Sequence, residues 1–194
     1  MTTLFDLTPA TPAAPAAAGP RPLVVGADLS LRSTGLGSAD WTDYVRPKKL
    51  TGHPRLAFLV QEIGSFLKTA DLVVLEGPSF GHAGQGGHEE LAWLRGAVQH
   101  WLWRREIPYA IVPPSTLKLY FAGHGHASKA LMQKAAEQVF GRTFEGPAAG
   151  DECDGFALAA AGYEWLDMPL AVVPERQREA LAGCQWPERE AVTR

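Results

Sequence analysis

Four acidic residues occupy positions at which carboxylates could bind metal ions: Asp28, Glu76, Asp151 and Asp154. Asp28 and Glu76 each end an apolar run typical of a buried strand, where a carboxylate loses its hydration. Asp151 and Asp154 begin an apolar helix three positions apart, so both project from one face. Such acids on rigid elements supply the oxygen ligands that hard divalent cations prefer. Two ions about 4 Å apart can activate water and stabilise the leaving oxygen in phosphodiester cleavage.

Taken singly, each acid also has a purely structural explanation. A strand-end Asp can cap a turn, a strand-end Glu can bond to loop backbone, and acids in a first helical turn complement the helix dipole. Two strand-end acids together with an i, i+3 acidic pair favour the metal site over these separate explanations.

The elements that would position these acids alternate between strands and helices after an initial hairpin. We predict strands over Leu23 to Asp28, Gly35 to Ala39, Trp41 to Val45, Asp71 to Glu76 and Ile107 to Val112. We predict helices over His53 to Ala70, His88 to Glu106, Ser115 to Phe121, Ala127 to Phe140 and Asp151 to Trp165, with a glycine-rich loop over Gly77 to Gly87. This order predicts an α/β layered fold with a mixed sheet.

Length and composition fit a single domain with tails. The chain has 194 residues and a formal net charge of −3, so any nucleic-acid binding must come from local basic clusters or bridging metal. We predict an Ala/Pro-rich disordered leader over residues 1–22, one folded domain over 23–166 and a tail over 167–194. The tail has one predicted short helix, Glu175 to Ala182, and we expect it to be loose beyond Gly183.

The cysteines and the apolar segments indicate a cytoplasmic protein. Cys153 and Cys184 have neither metal-ligand spacing nor a disulfide framework, which fits a reducing compartment, and we assign Cys153 no chemistry. The N-terminus lacks the pattern of a signal peptide, and no run approaches the roughly 20 apolar residues of a membrane span. We therefore expect no membrane partner.

Five motifs in order resemble those of the RuvC-type Holliday-junction resolvases in the ribonuclease-H-like (retroviral integrase) superfamily. The resemblance covers roughly Leu23 to Trp165. It is carried by Val25-Gly26-Ala27-Asp28 with Ser33-Thr34-Gly35, Val74-Leu75-Glu76, Leu94-Arg95-Gly96-Ala97, Pro113 to Lys118 with Gly123 to Lys129, and Asp151 to Ala159.

The resemblance implies that residues 23–166 form a nuclease domain with a three-layer ribonuclease-H-like fold, in which helices flank a mixed central sheet. It also implies a homodimer that nicks a four-way junction symmetrically. The implied cofactor is Mg²⁺ or Mn²⁺, two ions per site. Asp28 would bridge both ions, Glu76 and Asp154 would hold one each, and Asp151 would complete a shell or orient water. Lys118 and Lys129 match the two basic residues of the family near the scissile phosphate, and Lys118 is included among the catalytic residues.

Further predicted contacts concern DNA and a second copy of the chain. We expect DNA contacts from Lys118, Lys129, Phe80, His82, His124, His126, Arg32 and Ser33. Ser79 stands where the family often has a junction-wedging aromatic residue, with Phe80 one position later, which suggests a divergent, phage-type branch. The helix around residues 88–106 has apolar residues around much of its surface and, in the family, lies at the dimer interface. Burial within its own domain is the alternative.

Three other functions fit parts of the same pattern. A less specific nuclease of this fold could cut branched or flap DNA, and a non-cleaving protein could bind junctions only. The first strand and its Thr-Gly turn also resemble the phosphate loop of actin-like ATPases and sugar kinases. Those enzymes repeat that hairpin in a duplicated, larger chain, and this sequence has no such repeat. Four acids in buried positions argue against a protein that does not cut, because unused buried carboxylates only cost stability.

Overall fold

The sheet contains five strands in the order β3-β2-β1-β4-β5. The computed structural model describes residues 21–78 and 87–192. Its strands are β1 (Val24–Asp28), β2 (Thr34–Gly37), β3 (Thr42–Val45), β4 (Leu72–Glu76) and β5 (Tyr109–Val112). Strands β1, β4 and β5 run parallel, whereas β2 and β3 form an antiparallel hairpin extension of β1. The predicted mixed sheet is therefore confirmed.

Seven α-helices are present in the described part of the chain. They are α1 (Gly52–Leu67), α2 (His88–Trp103), α3 (Pro114–Ala122), α4 (Lys129–Phe140), α5 (Ala149–Trp165), α6 (Glu175–Glu179) and α7 (Arg189–Val192), with a 3₁₀ helix at Ala180–Gly183. No helix among these residues is long and apolar enough to cross a membrane.

Two hydrophobic cores lie on opposite faces of the sheet because side chains alternate along each strand. Val24 and Val74 face a core shared with α3, α4 and α5, whereas Val25, Val73 and Leu75 face a core shared with α1 and α2. Parallel strands covered on both faces are apolar throughout, which explains the continuous runs seen in the sequence. The result is the predicted three-layer α/β fold.

Helix α5 packs unusually close to the hairpin because glycines replace side chains at the contact. A Cβ added to Gly35 would lie 1.8 Å from the Asp151 carbonyl oxygen, and one on Gly155 would lie 2.7 Å from the Leu36 carbonyl carbon. A Cβ on Gly26 would lie 2.1 Å from the Gly155 oxygen. These glycines let the first turn of α5 approach the carboxyl end of β1.

Several element boundaries differ from the predicted ones. Strand β2 covers Thr34–Gly37 rather than Gly35 to Ala39, and α2 ends at Trp103 rather than Glu106. Glu106 has a φ of 55°, in the left-handed region, which a helix cannot continue through. Helix α5 begins at Ala149, before the acidic pair.

The expectation of a loose chain beyond Gly183 was wrong for the described residues. Trp186 stacks on Trp165 with ring centroids 5.1 Å apart, and its indole N–H donates to the Leu181 oxygen at 3.0 Å. Val192 is buried in the same core as α5. An aromatic pair and one apolar anchor therefore hold this segment, although its sequence has no clear helical periodicity. The predicted division at residue 166 stays a prediction.

Replacing Gly35 with Ala should disturb α5 itself. The new Cβ would overlap the Asp151 backbone, so α5 must move and the free energy of unfolding should fall by about 3 kcal/mol. Gly183→Ala is the matched control, since a Cβ there meets nothing within 4 Å. Urea unfolding of both variants measures the difference. Equal stability of Gly35→Ala and the wild type would contradict the close packing.

Candidate active site

The turn that follows β1 is closed by side-chain hydrogen bonds. The Thr34 hydroxyl donates to the Ser30 oxygen at 3.0 Å and accepts from the Ser30 N–H at 3.0 Å. The Ser30 hydroxyl in turn accepts from the backbone N–H groups of Arg32 and Ser33. This bonding explains the Ser and Thr residues after Asp28: they fix the strand end that carries the carboxylate.

A cavity of about 250 Å³ lies at the carboxyl ends of β1 and β4. Its polar lining consists of three of the predicted acids and both predicted lysines: Asp28, Glu76, Asp154, Lys118 and Lys129. Pro114, Leu117 and Met132 complete the wall. Ligands in open α/β sheets bind at this edge. The structure thus brings together five predicted site residues that are far apart in sequence.

Asp28 and Glu76 are hydrogen-bonded to each other across the ends of adjacent parallel strands. Burial, followed by the charge of Asp28, raises the pKa of Glu76 to about 9. Burial also raises the pKa of Asp28. Glu76 therefore holds a proton at neutral pH and donates it to Asp28, because two adjacent carboxylates in a poorly hydrated site cannot both ionise without a cation.

Asp154 adds a third carboxyl group from α5. Burial and the neighbouring charge of Asp28 raise the pKa of Asp154 to about 7, while Lys129 and Lys118 oppose that rise. These lysines belong to α3 and α4, which pack on the same face of the sheet as α5. The cavity combines clustered carboxyl groups with two lysine ammonium groups.

Asp151 lies beside this cavity and has two cationic partners. Lys129 Nζ is 3.1 Å from its Oδ1, and the guanidinium of Arg46 is 4.0 Å from its Oδ2. Desolvation works against the charge of Lys129, but the hydrogen bond and charge of Asp151 raise the pKa of Lys129 above its ordinary value. In this arrangement Asp151 holds the lysine next to the cavity.

Four of the six other predicted DNA-contacting residues lie in the loops that follow β1 and α3. Arg32 is exposed in the turn after β1, and the Ser33 hydroxyl accepts from Arg46 Nε at 3.1 Å. His124 and His126 are exposed in the loop between α3 and α4. Phe80 and His82 lie outside the described residues.

Two arginines next to the acids had no predicted role. Arg46 connects the β1–β2 turn to the segment before α5, because it bonds Ser33, the Pro147 oxygen at 2.8 Å, and Asp151. Arg95 on α2 lowers the pKa of both Asp28 and Glu76, against the effect of burial, and its Nη2 donates to the Gly77 oxygen at 3.4 Å. Arg95 belongs to one of the motifs noted above, but only the fold reveals which way it faces.

The donor set fits a hard divalent cation. Three carboxyl groups from two strand ends and one helix line the cavity, and burial favours their neutral forms unless positive charge enters. Over residues 21–78 and 87–192, no three Asp, Glu, His or Cys side chains stand in a ready-made metal-ligand arrangement. Carboxyl groups that share protons need not adopt the geometry they take around a cation.

Comparisons with known proteins agree with this architecture. The sequence matches no protein-family model. A structure of Thermus thermophilus RuvC superposes with a TM-score of 0.59 at 20% identity, covering 77% of this chain and 99% of that one. The same protein in complex with a Holliday junction substrate gives a TM-score of 0.58 at 21% identity, covering 78% and 100%. The chain has the RuvC fold.

Sequence similarity to RuvC is also detectable. The crossover junction endodeoxyribonuclease RuvC of Gloeobacter violaceus is 27% identical over 153 residues, which is 72% of this chain and 87% of that protein. The resemblance to RuvC-type resolvases that the five motifs indicated is thereby confirmed, together with the ribonuclease-H-like fold class.

The raised pKa of Glu76 predicts that the metal-free protein becomes less stable as pH rises. Between about pH 7 and 9, above the raised pKa of Asp154, the unfolded chain has lost the Glu76 proton while the folded chain keeps it. Over this range the free energy of unfolding should therefore fall with a slope of about 1.4 kcal/mol per pH unit. Denaturant unfolding in EDTA at several pH values measures this slope.

Glu76→Gln should remove most of that slope, whereas Glu137→Gln, on the exposed face of α4, should keep it. The same slope in Glu76→Gln as in the wild type would show that Glu76 does not hold the proton.

Proposed function

We propose that this protein is a metal-dependent, structure-selective endodeoxyribonuclease that resolves four-way DNA junctions. The proposal rests on one observation: in a RuvC fold, the same cavity is lined by Asp28, Glu76 and Asp154 together with Lys118 and Lys129. The names of the similar proteins, a crossover junction endodeoxyribonuclease and a RuvC bound to a Holliday junction, support DNA junctions as substrate.

Asp28, Glu76 and Asp154 would hold Mg²⁺ or Mn²⁺, two ions per site. Bound divalent ions supply a nucleophilic water at neutral pH and stabilise the charge on the leaving oxygen. The chain contributes an oxygen-only ligand set on rigid strand ends, which suits these hard cations better than zinc. The charge of Asp28 raises the pKa of both Glu76 and Asp154, which supports the bridging role that the resemblance assigns to Asp28.

Lys118 and Lys129 would neutralise the scissile phosphate. Both line the cavity, and Asp151 holds Lys129 Nζ at 3.1 Å, so the ammonium is already positioned before DNA arrives. Preorganised positive charge at a phosphate stabilises the extra negative charge of the transition state. Asp151 thus has a function in this site whether or not it also completes a metal shell.

Asp28→Asn should reduce cleavage of a labelled four-way junction by at least about 1,000-fold, because the neutral Asn amide cannot provide a negatively charged ligand for the cation. Junction affinity should stay within a few-fold of the wild type, since the phosphate contacts are unchanged. Asp43→Asn is the control, because Asp43 is exposed on β3. Cleavage by Asp28→Asn at the wild-type rate would refute the site.

A panel of substrates separates the competing functions in the same experiment. Four-way, flap and duplex DNA are compared with Mg²⁺ and with EDTA. Preference for the four-way junction supports the proposal, and equal cleavage of flaps assigns the less specific nuclease. Binding without cleavage under every condition would leave a junction-binding protein.

Helix α2 would form the homodimer interface. Trp93 and Trp103 are 50% and 66% exposed, and a Cβ on Gly96 would meet nothing within 4 Å. Two large exposed indole rings and a glycine with free space around it allow a second helix to pack closely on this face. Two sites related by a two-fold axis would match the two strands cut in a junction.

Gly96→Arg should convert the dimer into a monomer without unfolding it, because the position is open within one chain. Leu131→Arg, at an exposed apolar residue on α4, is the control and should stay dimeric. Sedimentation velocity measures both, and nicking of both strands within one binding event should be lost only in Gly96→Arg. A wild type that sediments as a monomer at micromolar concentration would contradict this interface.

A further inference from the structure

A short basic segment connects β3 to α1. It reads Arg46-Pro47-Lys48-Lys49, and we call it the basic turn. It places three cations within four residues of a chain whose formal net charge is −3. The Leu50 N–H donates to the Pro47 oxygen at 3.0 Å and closes the turn.

The sheet register places the basic turn at the edge that carries the acids. Gly35 pairs with Asp28 in the β1–β2 hairpin, and Thr34 pairs with Val45 in the β2–β3 hairpin. The C-terminal end of β3 therefore lies at the same edge of the sheet as the C-terminal end of β1, with β2 between them. At about 4.8 Å per strand, the two ends are roughly 10 Å apart along the sheet.

Arg46 joins the basic turn to the candidate site. Its guanidinium lies 4.0 Å from Asp151, which holds Lys129 at the cavity, and 4.7 Å from the centroid of the exposed Tyr44 ring. Positive charge thus extends from the cavity towards the edge strand.

Lys48 and Lys49 are free to contact a ligand. Both are exposed, and in the described part of the chain neither lies within 4.0 Å of a carboxylate. Lys48 has a φ of 53°, a left-handed conformation that Gly or Asn adopts at lower cost. A lysine at such a position presents a charge where the backbone alone would favour a smaller residue.

We propose that the basic turn binds backbone phosphates of the DNA strand that is cut, close to the scissile phosphate. This inference rests on the proposed function. The partner is a polyanion because the unpaired groups are cationic and exposed. The separation of roughly 10 Å between the ends of β3 and β1 places the turn within reach of phosphates close to the one bound at the acids. The turn would orient a junction arm on the outer side of the hairpin.

The test compares two charge reversals at exposed lysines, both in the Asp28→Asn background so that the DNA stays intact. Lys49 is in the basic turn. Lys68 follows α1 and precedes β4, so it lies near the amino-terminal ends of the parallel strands, away from the acids. Lys49→Glu should weaken binding of a four-way junction by about 10-fold at low salt and make the slope of log K against log salt shallower by about one. Lys68→Glu should change neither quantity appreciably.

Lys48→Gly provides a second variant that relieves the backbone strain. It should make the salt slope shallower by about one while keeping or raising the thermal midpoint, which separates charge from folding. Equal junction affinity and salt slope for Lys49→Glu and Lys68→Glu would overturn the inference. A wild type that cuts junctions, while Lys49→Glu and Lys68→Glu bind them alike, refutes only the role of the basic turn. A wild type that does not cut refutes the proposed function itself.

Discussion

Electrostatic repulsion among three poorly hydrated carboxyl groups is the constraint on which the rest of this structure depends. Asp28, Glu76 and Asp154 line one small cavity, and burial raises the pKa of each. The group can be stable only with protons on some carboxyls or with cations among them. This unfavourable electrostatic free energy is concentrated at one edge of the sheet, as expected where residues serve a function rather than stability.

The surrounding structure holds the acids together against this repulsion. The Ser30–Thr34 bonds fix the end of β1, and the parallel pairing of β1 with β4 sets Glu76 beside Asp28. The glycine contact between Gly35 and the Asp151 backbone brings in the first turn of α5. Lys129 and Arg95 supply positive charge from opposite sides. The surrounding elements therefore hold the acids in position and partly compensate their charge.

Much of this arrangement was predictable because it follows from local pattern. Apolar runs ending in Asp28 and Glu76 mark the strand ends, and the amphipathic spacing of α1 marks a helix packed on one side. The carboxyl ends of parallel strands must meet at one edge, so the acids were expected to gather. The prediction that Lys118 and Lys129 belong to the site came from the family resemblance, not from periodicity.

Features that depend on contacts between distant residues were not predictable. The salt bridge that places Asp151 beside the cavity requires Lys129 and Arg46 to converge from different elements. The packing of Trp186 on Trp165 orders a segment whose own sequence has no periodic signal. Arg95 was visible in a motif, but its direction depends on how α2 packs on the sheet. Tertiary contact decides each of these cases.

Proton release on metal binding tests the central claim most directly. If the carboxyl groups of the metal-free cavity share protons, a divalent cation must displace them. Titration calorimetry with Mn²⁺ at pH 7.5, in two buffers of different ionisation enthalpy, counts those protons. The account predicts binding with release of about one proton or more per site, and loss of that binding in Asp28→Asn. Binding without proton release, or binding unchanged in Asp28→Asn, would contradict it.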